Sequence, residues 1–185
     1  MKIGLFFGSF NPVHNGHLAI AKAFLSQAGL DQLWWIVSPQ NPHKSPNELA
    51  PFHHRLAMTK IALSHCLEYH ISDIEETLPK PSYTIDTLNH LNKKFPQNNW
   101  ILLMGADSWN HLPTWKKGDF IENNYPIFIY PRTENLELRK GNFHLLEGFF
   151  HDISSTEIRN AIQSKTFIDS LNPVVLRYIQ EHQLY

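Results

Sequence analysis

Cysteine is almost missing from these 185 residues: the one present, Cys66, can close no intramolecular disulfide, and no thiolate cluster offers a zinc site. A reducing, cytoplasmic setting is therefore expected, with Cys66 a packing residue. Long hydrophobic runs are missing too. None approaches the roughly 18 consecutive apolar residues of a membrane-spanning helix, so a soluble chain without membrane contact is expected. Neither sign of charge prevails, with 16 Lys and Arg against 17 Asp and Glu and a formal net charge of -1. That balance argues against bulk attraction to nucleic acid, so an anionic ligand must be held by a local site. The first strand lacks a following G-x-G-x-x-G, which argues against a dehydrogenase, and no G-K-[ST] of a P-loop kinase is found. The opening residues 1–7 hold one lysine and a short apolar run that meets Gly8 and Pro12, too abrupt for a signal-peptide core. No internal repeat, low-complexity tract or interdomain linker is apparent.

What is present is a 42% hydrophobic chain, long enough for one substantial core and short for two, which predicts a single domain over residues 1–185. Ile3, Leu5, Phe6 and Phe7 form an apolar run stopped by Gly8, the pattern of a strand buried on both faces. Helical spacing follows from Gly16, with Gly29 placed to end it. Further strands are predicted at 33–37, 69–74, 100–104 and 127–130, with one more at 143–146. Helices are predicted at 55–64 and 84–91, and from about Ser154 and Pro173. Residues 38–51 carry four prolines and read as an extended loop. Such alternation predicts an α/β fold, a parallel sheet wound on both sides with helices. Ligands of such sheets bind beyond the carboxyl ends of the strands, where strand order reverses.

The loop after the first strand, Gly8-Ser9-Phe10-Asn11-Pro12-Val13-His14-Asn15-Gly16-His17, leads into a helix N-terminus. Unpaired backbone N–H groups and the helix dipole make that a place for phosphate. His14 and His17, three residues apart, can both face one anion, and Gly16 leaves room for close approach. Imidazole donors there suit oxygens that gain charge during phosphoryl attack. The competing readings are a plain helix cap and a metal pair, but the i, i+4 spacing and glutamate of a zinc protease are lacking, so no protein metal site is expected. Ser154 and Glu157 form an S-x-x-E capping box at a second helix opening, with Arg159 one turn on. Taken alone, that stretch is equally an ordinary capped helix with a surface arginine. Of the ten other histidines, the nine besides His43 follow no shared ligand spacing, and Trp109 reads as a core residue.

The stretch GSFNPVHNGH after a first strand resembles the H-x-G-H signature of the nucleotidylyltransferase superfamily, and Ile153-Ser154-Ser155-Thr156-Glu157-Ile158-Arg159 resembles its second signature, I-S-S-T-x-I-R. Pro81-Ser82-Tyr83-Thr84-Ile85-Asp86-Thr87-Leu88 and Gly105-Ala106-Asp107-Ser108-Trp109, continuing to Leu112-Pro113-Thr114-Trp115, are similar to motifs of the nicotinate-nucleotide adenylyltransferases. So is the tail from Val174 to Tyr185. Two positions depart from the family pattern: Phe7 stands where most relatives have glycine, and Asn11 where they have aspartate.

The resemblance implies a Rossmann-like fold whose C-terminal helices carry the I-S-S-T-x-I-R motif. It implies transfer of AMP from ATP, with magnesium riding on the phosphates, to nicotinate mononucleotide, giving nicotinate adenine dinucleotide and pyrophosphate. It assigns ATP to Gly8, Ser9, Phe10, His14, Gly16, His17, Gly105, Asp107, Ser154, Ser155 and Arg159. The acceptor falls to Lys44, Tyr83, Thr84, Trp115 and Arg132. Catalysis falls to His14, His17, Lys44 and Arg159, by positioning and charge neutralisation without a covalent intermediate. Other acceptors, nicotinamide mononucleotide or phosphopantetheine, share the phosphate motifs, and a nucleotide-sensing module without turnover would share the fold. Homo-oligomer formation is compatible with the sequence.

Overall fold

A computed structural model describes residues 1–40, 49–131, 141–148 and 153–185. Six strands form one sheet: β1 (Lys2–Gly8), β2 (Gln32–Val37), β3 (Tyr69–Ser72), β4 (Asn99–Gly105), β5 (Ile127–Tyr130) and β6 (Phe143–Leu145). Their order is β3-β2-β1-β4-β5-β6, and every pair is parallel. The order reverses between β1 and β4, whose carboxyl ends are Gly8 and Gly105. Parallel pairing requires each connection to cross the sheet, and α1 (Asn15–Gln27), α2 (Phe52–Ala62), α3 (Thr84–Lys94), and α4 (Ala106–His111) with α5 (Gly118–Asn124) supply the crossovers from β1 through to β5, while α6 (Ser155–Gln163) and α7 (Pro173–Glu181) follow the last strand.

The near-continuous apolar strands are explained by burial on both faces. In β1, Ile3 and Leu5 join one core and Phe6 the other; in β2, Trp34 and Ile36 face the side opposite Leu33, Trp35 and Val37. One core packs Phe24 of α1, Met58 of α2, Ile158 of α6 and Val175 of α7 against the sheet. The other packs Ile85, Leu88 and Leu91 of α3 with Trp109 and Ile121. Apolar burial of this kind is the main favourable contribution to folding, about 25 cal/mol per Å² removed from water.

All six expected strands and all five expected helices are present, with shifted ends. The strand expected to reach residue 74 stops at Ser72, and a 3-10 turn, Ile74–Thr77, follows. Its Glu75 and Glu76 are poor strand formers, which accounts for the early stop. Helix α2 begins at Phe52 rather than Arg55. Helices α4 and α5, only 6 and 7 residues long, are too short for a 3.6-residue period to register in the sequence. Gly29, at φ +56°, follows the end of α1 as its sequence position suggests.

Candidate active site

At the reversal point, β1 hands over to α1 through a loop that is largely buried. Phe10 adopts φ +46°, an uncommon region for a bulky residue, and its ring is held between Phe6 and Trp35 at centroid distances of 5.4 and 5.1 Å. Sequence reasoning puts Phe10 among ATP contacts; its buried ring supports the loop, and only its backbone can face a ligand. Ser9 is buried, and its Oγ has no hydrogen-bond partner. A buried hydroxyl left so is costly, and a phosphate oxygen would satisfy it.

His14 caps α1, and its ring lies 3.7 Å from that of His17, tilted by 33°. The backbone N–H of His14 donates to His17 Nδ1 at 3.3 Å. A ring nitrogen that accepts carries no proton, so in neutral His17 the proton sits on Nε2 as a donor. A Cβ at Gly16 would lie 3.0 Å from His14 Nδ1, so the imidazole would have to give by a few tenths of an ångström to admit one.

The second opening docks on the first. Ser155 Oγ donates to the carbonyl of Pro12 at 3.0 Å, and Arg159 Nη1 donates to the carbonyl of Asn11 at 2.9 Å. The capping box is formed: Ser154 Oγ accepts from the Glu157 N–H at 3.1 Å, and Glu157 Oε2 accepts from the Ser154 N–H at 3.1 Å. Residues 143 positions apart in the chain thus share one surface, with two helix N-termini adding their dipoles.

Beside this surface, across Gly8, a cavity of about 540 Å³ opens between β1, β4 and the start of α3. Trp115, Tyr83, Thr84 and Asp107 line it, whereas His14 and Arg159 do not. Gly105 ends β4 directly ahead of Asp107, and Trp109 is fully buried against Phe143, as expected for a core residue. Lys116 sits 4.9 Å over the Tyr83 ring and pairs with Asp86 at 2.8 Å, bracing the α3 opening. Lys44 and Arg132 lie outside the described residues. Among the described residues, no three side chains that ligate metals come together.

Three residues of this region escape sequence reasoning. Arg55 of α2 is 1% exposed and donates to four carbonyls, those of Ser9 and Ser38 at 2.7 Å, Pro39 at 2.8 Å and Ala50 at 2.9 Å. It ties the loop after β1 to the loop after β2, and burial lowers its pKa to about 10. Its only sequence signal is a cation within a helix that must bury a face. Tyr185 donates to Asn11 Oδ1 at 2.6 Å, and its ring lies 6.0 Å from the Arg159 guanidinium. Burial raises the tyrosine pKa, while Arg159 and Arg55 pull it back. Asn11 Oδ1 also accepts from the Ala50 N–H at 3.0 Å, so the amide meets both donors without adding negative charge to an anion site. The third residue is Glu75, a buried carboxyl on the cavity wall.

Residues 5–161 match the family model described as cytidylyltransferase-like. A protein of Flavobacterium johnsoniae named probable nicotinate-nucleotide adenylyltransferase is 41% identical, covering 100% of this chain and 99% of its own length. A protein of the same name from Bacteroides fragilis is 37% identical over 96% of this chain and 90% of its own length. In three dimensions, the nicotinic acid mononucleotide adenylyltransferase of Plasmodium falciparum, solved in complex with NaAD, superposes with a TM-score of 0.85 at 20% identity, over 100% of this chain and 97% of that one. These matches span essentially the whole chain, and they show that it is a member of the cytidylyltransferase-like family and, within it, of the nicotinate-nucleotide adenylyltransferases.

Proposed function

We propose that the chain, as one domain spanning residues 1–185, transfers the adenylyl group of ATP to the phosphate of nicotinate mononucleotide. The products are nicotinate adenine dinucleotide and pyrophosphate, a step of NAD synthesis, for which a cytoplasmic location is the natural setting. The observation that carries this reading is the hydrogen-bonded docking of the Ser155–Arg159 helix opening on the His14–His17 opening, beside a cavity that holds Trp115. Relatives that share 37 to 41% of their residues with this chain carry the corresponding name.

An oxygen of the acceptor phosphate attacks the α-phosphorus of ATP in line, and the bond to the bridging oxygen of pyrophosphate breaks. No covalent enzyme intermediate is involved. His17 Nε2–H, His14 and Ser9, with the positive end of the α1 dipole, bind the phosphates and meet the charge that grows on their oxygens. Ser154, Ser155 and Arg159 hold the leaving pyrophosphate end, with Lys44 and Arg132 as further cations on the acceptor side. The donor set fits a metal that arrives on the nucleotide, because the residues at the phosphate openings are imidazole, hydroxyl and guanidinium groups rather than a carboxylate cage. Magnesium bound to ATP supplies charge neutralisation and helps orient the phosphates. At the other end, Trp115 offers an aromatic face to the pyridine ring, and the Tyr83–Thr84 opening of α3 offers N–H groups to its carboxylate.

The test is pyrophosphate release by the purified protein with magnesium and ATP, offered nicotinate mononucleotide, nicotinamide mononucleotide or phosphopantetheine. Turnover is expected with the first. Faster turnover with phosphopantetheine would replace this acceptor assignment, and nucleotide binding without release would identify a sensing module.

A further inference from the structure

Glu75 is 2% exposed, and the turn Ile74–Thr77 carries it against the start of α3. Thr87 Oγ1 donates to its Oε1 at 2.8 Å, while Oε2 has no hydrogen-bond partner, and neither has the hydroxyl of neighbouring Ser82. Both residues line the cavity together with Tyr83, Thr84 and Trp115. Among the described residues the groups acting on this carboxyl are neutral: Thr87 of α3, Ser82 ahead of it and Ser38 after β2. The other ionisable groups on the cavity wall are Tyr83, Asp107 and His111, and Lys116, which is engaged with Asp86. Among the described residues no cation lies beside Glu75, and a buried carboxyl so placed costs more as an anion than as an acid. Burial raises its pKa accordingly, and the three hydroxyls offset this only in part.

We infer that Glu75 is a specificity-determining residue that reads the ring substituent of the acceptor, favouring a carboxylate over a carboxamide. The inference rests on the acceptor proposed above. Because Oε1 already accepts from Thr87, the proton of the neutral acid belongs on Oε2, and Oε2–H is a donor. A carboxylate substituent accepts that hydrogen bond strongly, since one partner is charged. A carboxamide gains less, through a neutral acceptor. Ionised Glu75 reverses the preference, repelling a carboxylate and accepting from an amide N–H. Binding of the acid is therefore coupled to retention of one proton by Glu75.

Steady-state pyrophosphate release with nicotinate and nicotinamide mononucleotides, each with ATP and across pH, tests this in the wild type, Glu75→Gln and Glu75→Leu. Gln keeps a carbonyl for Thr87 and puts N–H donors in place of Oε2–H. The wild-type KM for nicotinate mononucleotide is expected to rise with pH, approaching about tenfold per unit above the pKa of Glu75, with the KM for ATP unmoved. In Glu75→Gln this rise disappears and the acid remains preferred; in Glu75→Leu the preference falls about tenfold at low pH. The acceptor phosphate titrates equally in all three and cancels from the comparison. Calorimetry in buffers of different ionisation enthalpy should register proton uptake on binding above that pKa in the wild type and none from this source in Glu75→Gln. A purely structural role would change thermal stability without moving either readout. The sign there is also fixed: the raised pKa contributes stability below the unfolded-state value that is lost as pH rises through the folded one. An unchanged pH profile in Glu75→Gln, or a wild-type acid-to-amide ratio in folded Glu75→Leu, overturns the inference alone. A wild type that releases pyrophosphate with neither mononucleotide overturns the proposed function as well.

Discussion

At the phosphate end of the site, Arg55 and Arg159 direct most of their donors to backbone carbonyls and, among the described residues, none to a carboxylate, and Asn11 stands where relatives of the resembled family carry aspartate. At the acceptor end, the walls are aromatic and hydroxylic, and the buried ionisable group is an acid, Glu75. Among the described residues the first region holds positive charge without a carboxylate partner, which suits an anion. On the proposal made above, the second receives a flat ring and adjusts its polarity with a single proton. Charge left uncompensated stabilises a polyanion most, whereas choice between two nearly isosteric rings requires local hydrogen bonding. Affinity and selectivity are thus assigned to different walls of one cleft.

The comparison breaks most readily at its catalytic edge. His17→Ala should lower kcat about a hundredfold or more while leaving the melting temperature nearly unchanged, because the imidazole is half-buried and its loss opens little core. Full turnover in this variant would remove the phosphate end from the chemistry. Next comes the cation beneath the loop. Arg55→Met removes the donor from four carbonyls, two of them buried, so denaturant unfolding should report a loss of about 3 kcal/mol or more. The same variant should raise the KM for ATP; an unaltered KM would make Arg55 a fastener of the fold alone.

The acceptor wall is probed by Trp115→Ala, expected to raise the KM for the mononucleotide about tenfold through lost stacking. The KM for ATP should stay fixed, and parallel rises in both would dissolve the distinction between the two walls. Tyr185→Phe should give the smallest effect. It removes the hydroxyl that donates to Asn11 and should cost about 1 kcal/mol in stability, read by denaturant unfolding, with kcat retained.

Much of this was legible beforehand where local signals are strong. Strands with apolar residues on both faces and the Ser154–Glu157 capping box declare themselves within a few residues. The helix openings at His14 and Ser154 followed from the same local chemistry. Arg55, Tyr185 and Glu75 did not. An arginine in a helix, a tyrosine near a chain end and a glutamate in an acidic turn read as surface groups until their partners, 46, 174 and 12 positions away, are brought to them. Lys44 and Arg132 lie outside the described residues, and their roles belong to the proposal made above.

By itself the sequence determined the alternation of strands and helices and the helix openings at His14 and Ser154, since period, capping and dipole are properties of short segments. Only the tertiary structure decided that those openings meet, that Arg55 ties the loop after β1 to the loop after β2 and that Glu75 lies buried on the wall of the cavity with Trp115. Burial and loss of a counter-ion arise when distant segments exclude water from one another, and no single segment carries that information.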